Sequence, residues 1–406
     1  MARILLSIWL LLTTTGFAVA GPFEDGVAAH SKGNLSEAVR LWRMAAVQGI
    51  ASAQDSLGLA YAKGEGVLQD YPEALKWFRM AAEQGYVPAY YNLGYAYYSG
   101  KGVPQNYAEA IRWWRLAAEN GSLDAQIILG NTYDNGEFVA QDYSEAVKWF
   151  RMAAVQGHSE AQRYLGILYA NGKGVSQDYS EALKWYQKSA AQGDATSQGN
   201  IGVMYYFGQG VPQDRVEAIR WWRLAAEKGS VDAQLRLGFA YTSGEGVMQN
   251  YQEALKWYKK AAAQGDATSQ LNIGKMYYLG DGVQQNYLES IRWWLMAAER
   301  DLAEAQFSLG VVYSQGLGVP QVYAEAAKWF RMAAEQGHDG AQFSLGVSYD
   351  KGEGVIQNSV FAHMWFNLAA AQGNNDAANY RDIVAKDMTR DQIATAQKMA
   401  SDWKPK

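Results

Sequence analysis

The sequence predicts an all-α protein, an α/α solenoid of about ten helix-turn-helix repeats with a 36-residue period. Three observations lead there. Gly49, Gly85, Gly121, Gly157, Gly193, Gly229 and Gly265 lie 36 residues apart, and after a miss at Asp301 the series resumes at Gly337 and Gly373. A second series, Gly58, Gly94, Gly130, Gly166, Gly202, Gly238, Gly274, Gly310 and Gly346, has no miss. Tryptophan keeps the same step from Trp77 through Trp113, Trp149, Trp185, Trp221, Trp257, Trp293 and Trp329 to Trp365. Interlocked series of this kind mark stacked supersecondary units. They override the two or three globular domains that 406 residues would otherwise suggest.

Residues 51–85 show how one unit is built. Ala53, Leu57, Gly58 and Tyr61 fall at helical spacing and recur in nearly every copy, so a first helix, helix A, buries that face. Gly64-Glu65-Gly66-Val67 then breaks the helix, because paired glycines accept positive φ without steric cost. Asp70 is placed to cap the second helix and Glu73 to close a capping box, a pairing repeated at Asn106/Glu109, Asp142/Glu145, Asp178/Glu181 and Asn250/Glu253. Helix B turns Ala74, Trp77, Phe78, Ala81 and Ala82 inward and ends at Gly85 in the left-handed conformation. A second aromatic column, from Trp42 and Phe78 to Phe330 and Phe366, follows directly after the tryptophans. One hairpin cannot bury two such rings, but a stacked neighbour can, at about 1.5–3 kcal/mol for each large side chain.

The two ends differ. Gly26 stands 32 residues before Gly58, so the first unit has a shorter inter-helix loop. Beyond Gly373 the Leu-Gly pair gives way to Arg381-Asp382, and a last helix is expected from Thr389 with Gln392 completing its capping box. The expected division is therefore 1–20 signal segment, 21–49 short first repeat, 50–373 solenoid and 374–406 polar capping helices. Phe138, Asp301, Arg215 and Val322 break the motif locally, and each is expected to bend or loosen one joint.

Export is expected from the first residues. Arg3, the apolar run Ile4 to Leu12 and Ala18-Val19-Ala20 before Gly21 have the pattern of a cleaved secretory signal, with an uncleaved anchor as the competing reading. No later stretch is apolar enough to cross a bilayer, so the mature chain is expected to be soluble and monomeric, in a periplasm or outside the cell. With 36 basic and 41 acidic residues there is no basic footprint for nucleic acid. The absence of cysteine excludes a thiol nucleophile, a Cys-ligated metal and a lipid-bearing cysteine.

Catalytic chemistry finds no constellation. His30, His158, His338 and His363 have no metal-ligand spacing, and His158 and His338 read as exposed turn residues. Gly64-x-Gly66 lacks a Lys-Ser/Thr and follows a helix, so it is a turn rather than a phosphate loop. Glu73 repeats once per unit, whereas a hydrolase needs one singular carboxylate pair. The chain is expected to be neither an enzyme nor a carrier of a cofactor or metal.

With these residues assembled, residues 51–85 and 231–265 carry almost complete the motif A-x-A-Q-x-x-L-G-x-x-Y-x-x-G-x-G-V-x-Q-D/N-Y-x-E-A. The chain thereby resembles the Sel-one-like repeat family, relatives of the tetratricopeptide repeats, from about Phe23 to Gly373. The resemblance implies a right-handed superhelix and an adaptor that binds other proteins in envelope regulation, envelope assembly or host contact. Some cysteine-rich members have been linked to β-lactam or peptidoglycan-like ligands. The alternative expectation is thus a glycan or peptidoglycan-fragment binder with weak β-lactamase-like hydrolysis, although the disulfide framework of those members is missing.

Helix A lines the concave side in solenoids of this type. Its positions equivalent to Asp55, Leu59 and Ala62 vary freely between copies and lie roughly opposite the constant face. The candidate partner-binding stripe is Tyr91, Tyr95, Tyr98, Asn131, Arg163, Tyr206, Phe239, Lys275, Tyr278, Phe307 and Phe343. Rings and cations on a rigid surface suit a peptide segment or protein loop, and the same rings would stack on sugars.

Overall fold

The computed structural model describes residues 21–405; the expected signal segment 1–20 lies outside them. The described residues are helical throughout, with no strand among them. The chain divides into two compact units, one ending at Trp185 and one beginning at Tyr186. The first holds α1 (Pro22–Ser31), α2 (Leu35–Val47), α3 (Ala51–Lys63), α4 (Tyr71–Glu83), α5 (Val87–Ser99), α6 (Tyr107–Glu119), α7 (Leu123–Asn135), α8 (Tyr143–Val155) and α9 (Ser159–Asn171). Helix α10 (Tyr179–Ala191) contains the division. In the second are α11 (Ala195–Phe207), α12 (Arg215–Glu227), α13 (Val231–Ser243), α14 (Tyr251–Ala263), α15 (Ala267–Leu279) and α16 (Tyr287–Ala298). It continues with α17 (Ala303–Gln315), α18 (Tyr323–Glu335), α19 (Asp339–Lys351), α20 (Ser359–Ala371), α21 (Asn375–Val384) and α22 (Arg390–Asp402). From α3 to α20 the odd helices are helix A and the even ones helix B, and the architecture is an α/α solenoid.

Local chemistry sets each boundary. Helix α3 stops because Gly64 turns left-handed at φ 74°, and Gly66 repeats the turn at φ 73° with its α-carbon against α2. A Cβ on Gly66 would lie 2.4 Å from the Leu35 carbonyl oxygen, so conformation and close approach both demand glycine there. Helix α4 ends in a Schellman arrangement, in which Gly85 donates to Ala82 O (2.9 Å) and Tyr86 to Ala81 O (3.2 Å). Its start is half of the expected capping box. The Asp70 carboxylate accepts from the Glu73 amide, but the Asp70 amide donates to Tyr61 O of the preceding helix (2.9 Å), which occupies the donor a Glu73 side chain would need. Glu73 instead reaches Lys76 at 3.4 Å. The same substitution of partners occurs at Asn106, whose amide goes to Tyr97 O, and at Asn250, whose amide goes to Tyr241 O.

Packing follows the columns. Leu57, Leu93, Leu129, Leu165, Ile201, Leu237, Ile273 and Leu309 are fully buried. Gly58, Gly94, Gly130, Gly202, Gly238, Gly274, Gly310 and Gly346 each lie under the second aromatic ring of their own helix B: a Cβ on Gly58 would stand 2.6 Å from Phe78, and one on Gly202 2.3 Å from Trp222. The glycines are what let the two helices approach closely enough to bury those rings. A row of buried glutamines then ties neighbouring units. Gln342 donates to Ala334 O (3.3 Å) and accepts from Gln372 (2.9 Å), and Gln126, with Gln156, repeats the arrangement. Helix-B arginines add a second tie, Arg115 donating to the Tyr133 hydroxyl and Arg331 to that of Tyr349.

The four local departures keep the backbone register. Phe138 and Asp301 adopt the glycine conformation, at φ 65° and 58°. Val322 forms an N-cap at φ −138° without a side-chain hydrogen bond, and α12 starts at Arg215 in register. Only α16, before Asp301, is a residue shorter than its counterparts. The register passes through all four departures, and at Phe138, Asp301 and Val322 what is seen is left-handed backbone or a missing cap. At the N-terminus Gly26 lies under Trp42 as Gly58 lies under Phe78, with the loop shortened between them. At the C-terminus Thr389 and Gln392 form the complete reciprocal capping box of α22.

Candidate binding surface

The three variable helix-A positions separate in depth. The first, that of Asp55, faces the next repeat: Asp55 and Leu271 are buried, and Phe307 and Phe343 are half-buried. The second and third carry rings into solvent, with Tyr95 48%, Phe239 46% and Tyr98 37% exposed. Side chains at the first position are thus partly spent on stacking the solenoid, and the open surface narrows to the other two.

In the first unit, Tyr91 is half-buried, and burial, with Asp124 nearby, raises its phenol pKa. Tyr95 and Tyr98 stand 6.5 Å apart by ring centroid, and Tyr98 rests on Trp114 at 5.6 Å. Lys101 lies over Tyr95 at 5.6 Å and over Tyr71 at 5.5 Å. Tyr71, Tyr95 and Lys101 border, with Leu59, Phe78 and Asn92, a cavity of about 270 Å³. Asn131 and Arg163 are half-buried on α7 and α9; Arg163 stacks over Tyr164 at 4.6 Å and pairs with Glu160 at 3.5 Å.

In the second unit, Tyr206 rests on Trp222 at 5.3 Å and Tyr278 on Trp294 at 5.5 Å, repeating the Tyr98–Trp114 pair. Tyr206 and Phe239 line one cavity of about 440 Å³ with Phe207, Trp222, Arg236, Thr242, Ser243 and Glu245. The Tyr206 hydroxyl donates to the Glu245 carboxylate, which raises the phenol's pKa. Lys275 pairs with Glu304 at 3.2 Å, and Glu304 also meets His338 at 3.0 Å. Burial works against the Glu304 carboxylate, but these partners outweigh it and hold its pKa below the ordinary value. Phe307 stacks on His338 at 4.6 Å, whereas Phe343 packs against Phe366 and Tyr380 of the closing helices.

The reading of His158 and His338 as exposed turn residues is corrected. Both are N-caps, accepting the Ala161 and Ala341 amides through Nδ1, and the His338 side chain is only 16% exposed. Accepting at Nδ1 leaves the proton on Nε2, where it is donated to Glu304. Among the described residues no group of three or more His, Asp or Glu side chains is placed to hold a metal, and no helix is long and apolar enough to cross a membrane.

Sequence reasoning placed Tyr91, Tyr95 and Tyr98 on one helix and named Tyr206 and Phe239 separately, and the structure sets these last two on one cavity. That reasoning missed Phe138, Arg215, Arg236, Glu245 and Glu304. Phe138 stacks on Tyr107 at 3.8 Å and covers Tyr98 edge-on at 5.7 Å. The signal for two of them was present, since Phe138 and Arg215 are the motif breaks nearest the aromatic stripe.

The family model described as Sel1 repeat matches at 23–50, then in consecutive 36-residue copies from 51–86 to 303–338, and at 340–374, ten copies in all. The chain belongs to the Sel1 repeat family. This Sel1 repeat protein is similar to c5321, described as a protective antigen present in uropathogenic Escherichia coli strains displaying an SLR fold. The two are 34% identical with a TM-score of 0.81, over 94% of this chain and 83% of that one. A Sel1 repeat protein from Oxalobacter formigenes is 35% identical with a TM-score of 0.66, over 76% of this chain and 90% of that one. No curated protein matches the chain. The fold is of the general protein-interaction scaffold type, and such scaffolds are typically non-catalytic.

Proposed function

We propose that this Sel1 repeat protein is an exported, non-catalytic adaptor that binds a protein or peptide partner on the helix-A stripe. The observation carrying the reading is the contrast along helix A. The constant positions of Ala53, Leu57 and Gly58 are buried, while Tyr95, Tyr98 and Phe239, on positions free to vary, hold large rings in solvent. Aromatic side chains on rigid helices lose little conformational entropy on binding and supply most of the energy at protein interfaces. Export rests on the segment 1–20, and the protective-antigen description of the c5321 relative accords with it. Under this reading the protein works in a periplasm or outside the cell.

The test is affinity capture from the native envelope fraction, with the chain from Gly21 as bait beside a Tyr91/Tyr95/Tyr98→Ser variant. A protein retained by the first bait and lost from the second is expected. Retention of nothing, or equal retention by both, would overturn the stripe as the binding surface.

A further inference from the structure

Two departures from the repeat pattern converge on one place. Gly199 occupies the first variable position of helix A, where every other copy from Asp55 to Phe343 has a side chain. Arg215 opens helix B where seven of the other copies have tyrosine. In the copies built on Trp114 and Trp294, those tyrosines cover the aromatic pair: Tyr107 lies 5.8 Å from Tyr98, and Tyr287 lies 5.4 Å from Tyr278. With arginine there instead, the Tyr206–Trp222 pair is left bordering the cavity of about 440 Å³.

The space at Gly199 is real. A Cβ added there meets no heavy atom within 4 Å, although the glycine is buried and its carbonyl accepts from Trp222 Nε1 at 3.2 Å. Its counterpart 72 residues on, Leu271, shares an apolar cluster with Trp294 and Tyr278. A leucine at 199 would take the corresponding place on Trp222 and Tyr206.

The charged groups are arranged alike on both sides. Arg236 stacks over Trp222 at 5.5 Å and meets Asp232 through Nε at 2.7 Å. Arg215 stacks over Tyr206 at 5.4 Å and meets Glu245 through Nε at 3.8 Å. A ring and a carboxylate together hold each guanidinium in place, and the Nη nitrogens of both carry no hydrogen bond to the described residues. Such a pre-oriented edge recognises a carboxylate in two-point fashion. The remaining polar groups are already engaged: Thr242 Oγ1 donates to Gly238 O at 2.8 Å, and the Tyr206 hydroxyl donates to Glu245. What is offered is an apolar floor with unspent cationic donors at its edge; its acceptors are the Glu245 carboxylate, already met by Tyr206 and Arg215, and the Ser243 hydroxyl.

We propose that this pocket is a dedicated subsite for a peptide group in which a large apolar side chain lies next to a carboxylate. The aromatic floor takes the side chain and the Arg236 and Arg215 edges take the carboxylate. The inference deepens the adaptor reading by naming the chemistry of a partner segment.

The probe is N-acetyl-alanyl-phenylalanine with a free carboxylate, titrated into the chain from Gly21 by calorimetry and ligand-observed NMR. Its C-terminal amide, acetyl-alanyl-alanine and N-acetylmuramic acid run alongside. A ligand of this size is expected to bind with Kd on the order of 0.1–1 mM, and about tenfold more tightly than any of the other three. Gly199→Leu should abolish binding while helicity and melting temperature are kept or raised. Arg236→Gln should bind acid and amide alike. Failure of the free acid to bind, equal binding by Gly199→Leu, or preference for N-acetylmuramic acid would overturn the subsite. If the unaltered chain captures an envelope protein through the Tyr91/Tyr95/Tyr98 stripe but does not bind the free acid, the pocket assignment falls and the adaptor reading stands. If the acid binds and capture fails, the reverse holds.

Discussion

Asn92 on α5 donates a hydrogen bond of 2.8 Å to the carboxylate of Asp55 on α3, and Asp55 is only 5% exposed. The contact joins one helix A to the next at the first variable position, where most other copies place an aromatic or aliphatic side chain. It also makes a titratable joint. Burial pushes the Asp55 carboxyl up to about 6, against the smaller opposing effect of the Asn92 hydrogen bond.

The pH dependence follows from that shift. Below the unfolded-state pKa, near 3.9, both states hold the proton and the joint is unpenalised. Between there and about 6 the unfolded chain ionises first, so stability falls as pH rises, by about 3 kcal/mol in all, and then levels off. Asp55→Asn should remove this slope and be more stable than the parent at pH 7. Thermal melts of both proteins from pH 4 to 7 check it; parallel curves would contradict it.

The buried glutamines predict an asymmetry. Gln342 has partners at both ends of its amide, so Gln342→Met should cost about 1–3 kcal/mol by leaving Gln372 and the Ala334 carbonyl unmatched. Gln198 donates to Ala190 O, but its Oε1 meets no partner. Gln198→Met should therefore cost less, about 1 kcal/mol or under, because it also removes an unsatisfied buried acceptor. Urea midpoints of the two variants measure the difference.

Close approach makes Gly58→Ala destabilising although alanine favours helices. The added carbon would sit 2.6 Å from the Phe78 ring, and overpacking of this kind costs about 1–3 kcal/mol. Combining it with Phe78→Leu should cost less than the two single changes added together. A double-mutant cycle in urea tests that coupling.

The two non-glycine residues at positive φ should respond differently to glycine. Asp301→Gly relieves the backbone and removes little else, so a gain of about 1 kcal/mol is expected. Phe138→Gly relieves the same strain but loses the ring stacked on Tyr107, and should give no gain. Melting temperatures of the two variants, measured together, decide it.

Much of the scaffold was legible because a repeat writes the same physics many times. The glycines at 58, 64 and 85 each answer one backbone or packing demand, and their period carried the helix boundaries. What one copy shares with its neighbour was less legible. The capping box at Asp70 loses its second half to Tyr61 O, a carbonyl supplied by a different helix. His338 reads as a polar turn residue until Glu304, a repeat earlier in sequence, is seen beside it. Variability alone also merged two kinds of position, since Asp55 and Phe343 contact the following helices while Tyr95 and Phe239 do not need to. Only depth, set by how neighbouring repeats stack, separates them.

The central claim is that helix A presents the partner-binding surface. Hydrogen exchange of the chain from Gly21, alone and with the protein it retains, tests it most directly. The account predicts new protection along α5, α11 and α13, with helix B segments such as α6 and α12 unchanged. Protection confined to the helix B segments, with α5, α11 and α13 exchanging as in the free chain, would contradict it.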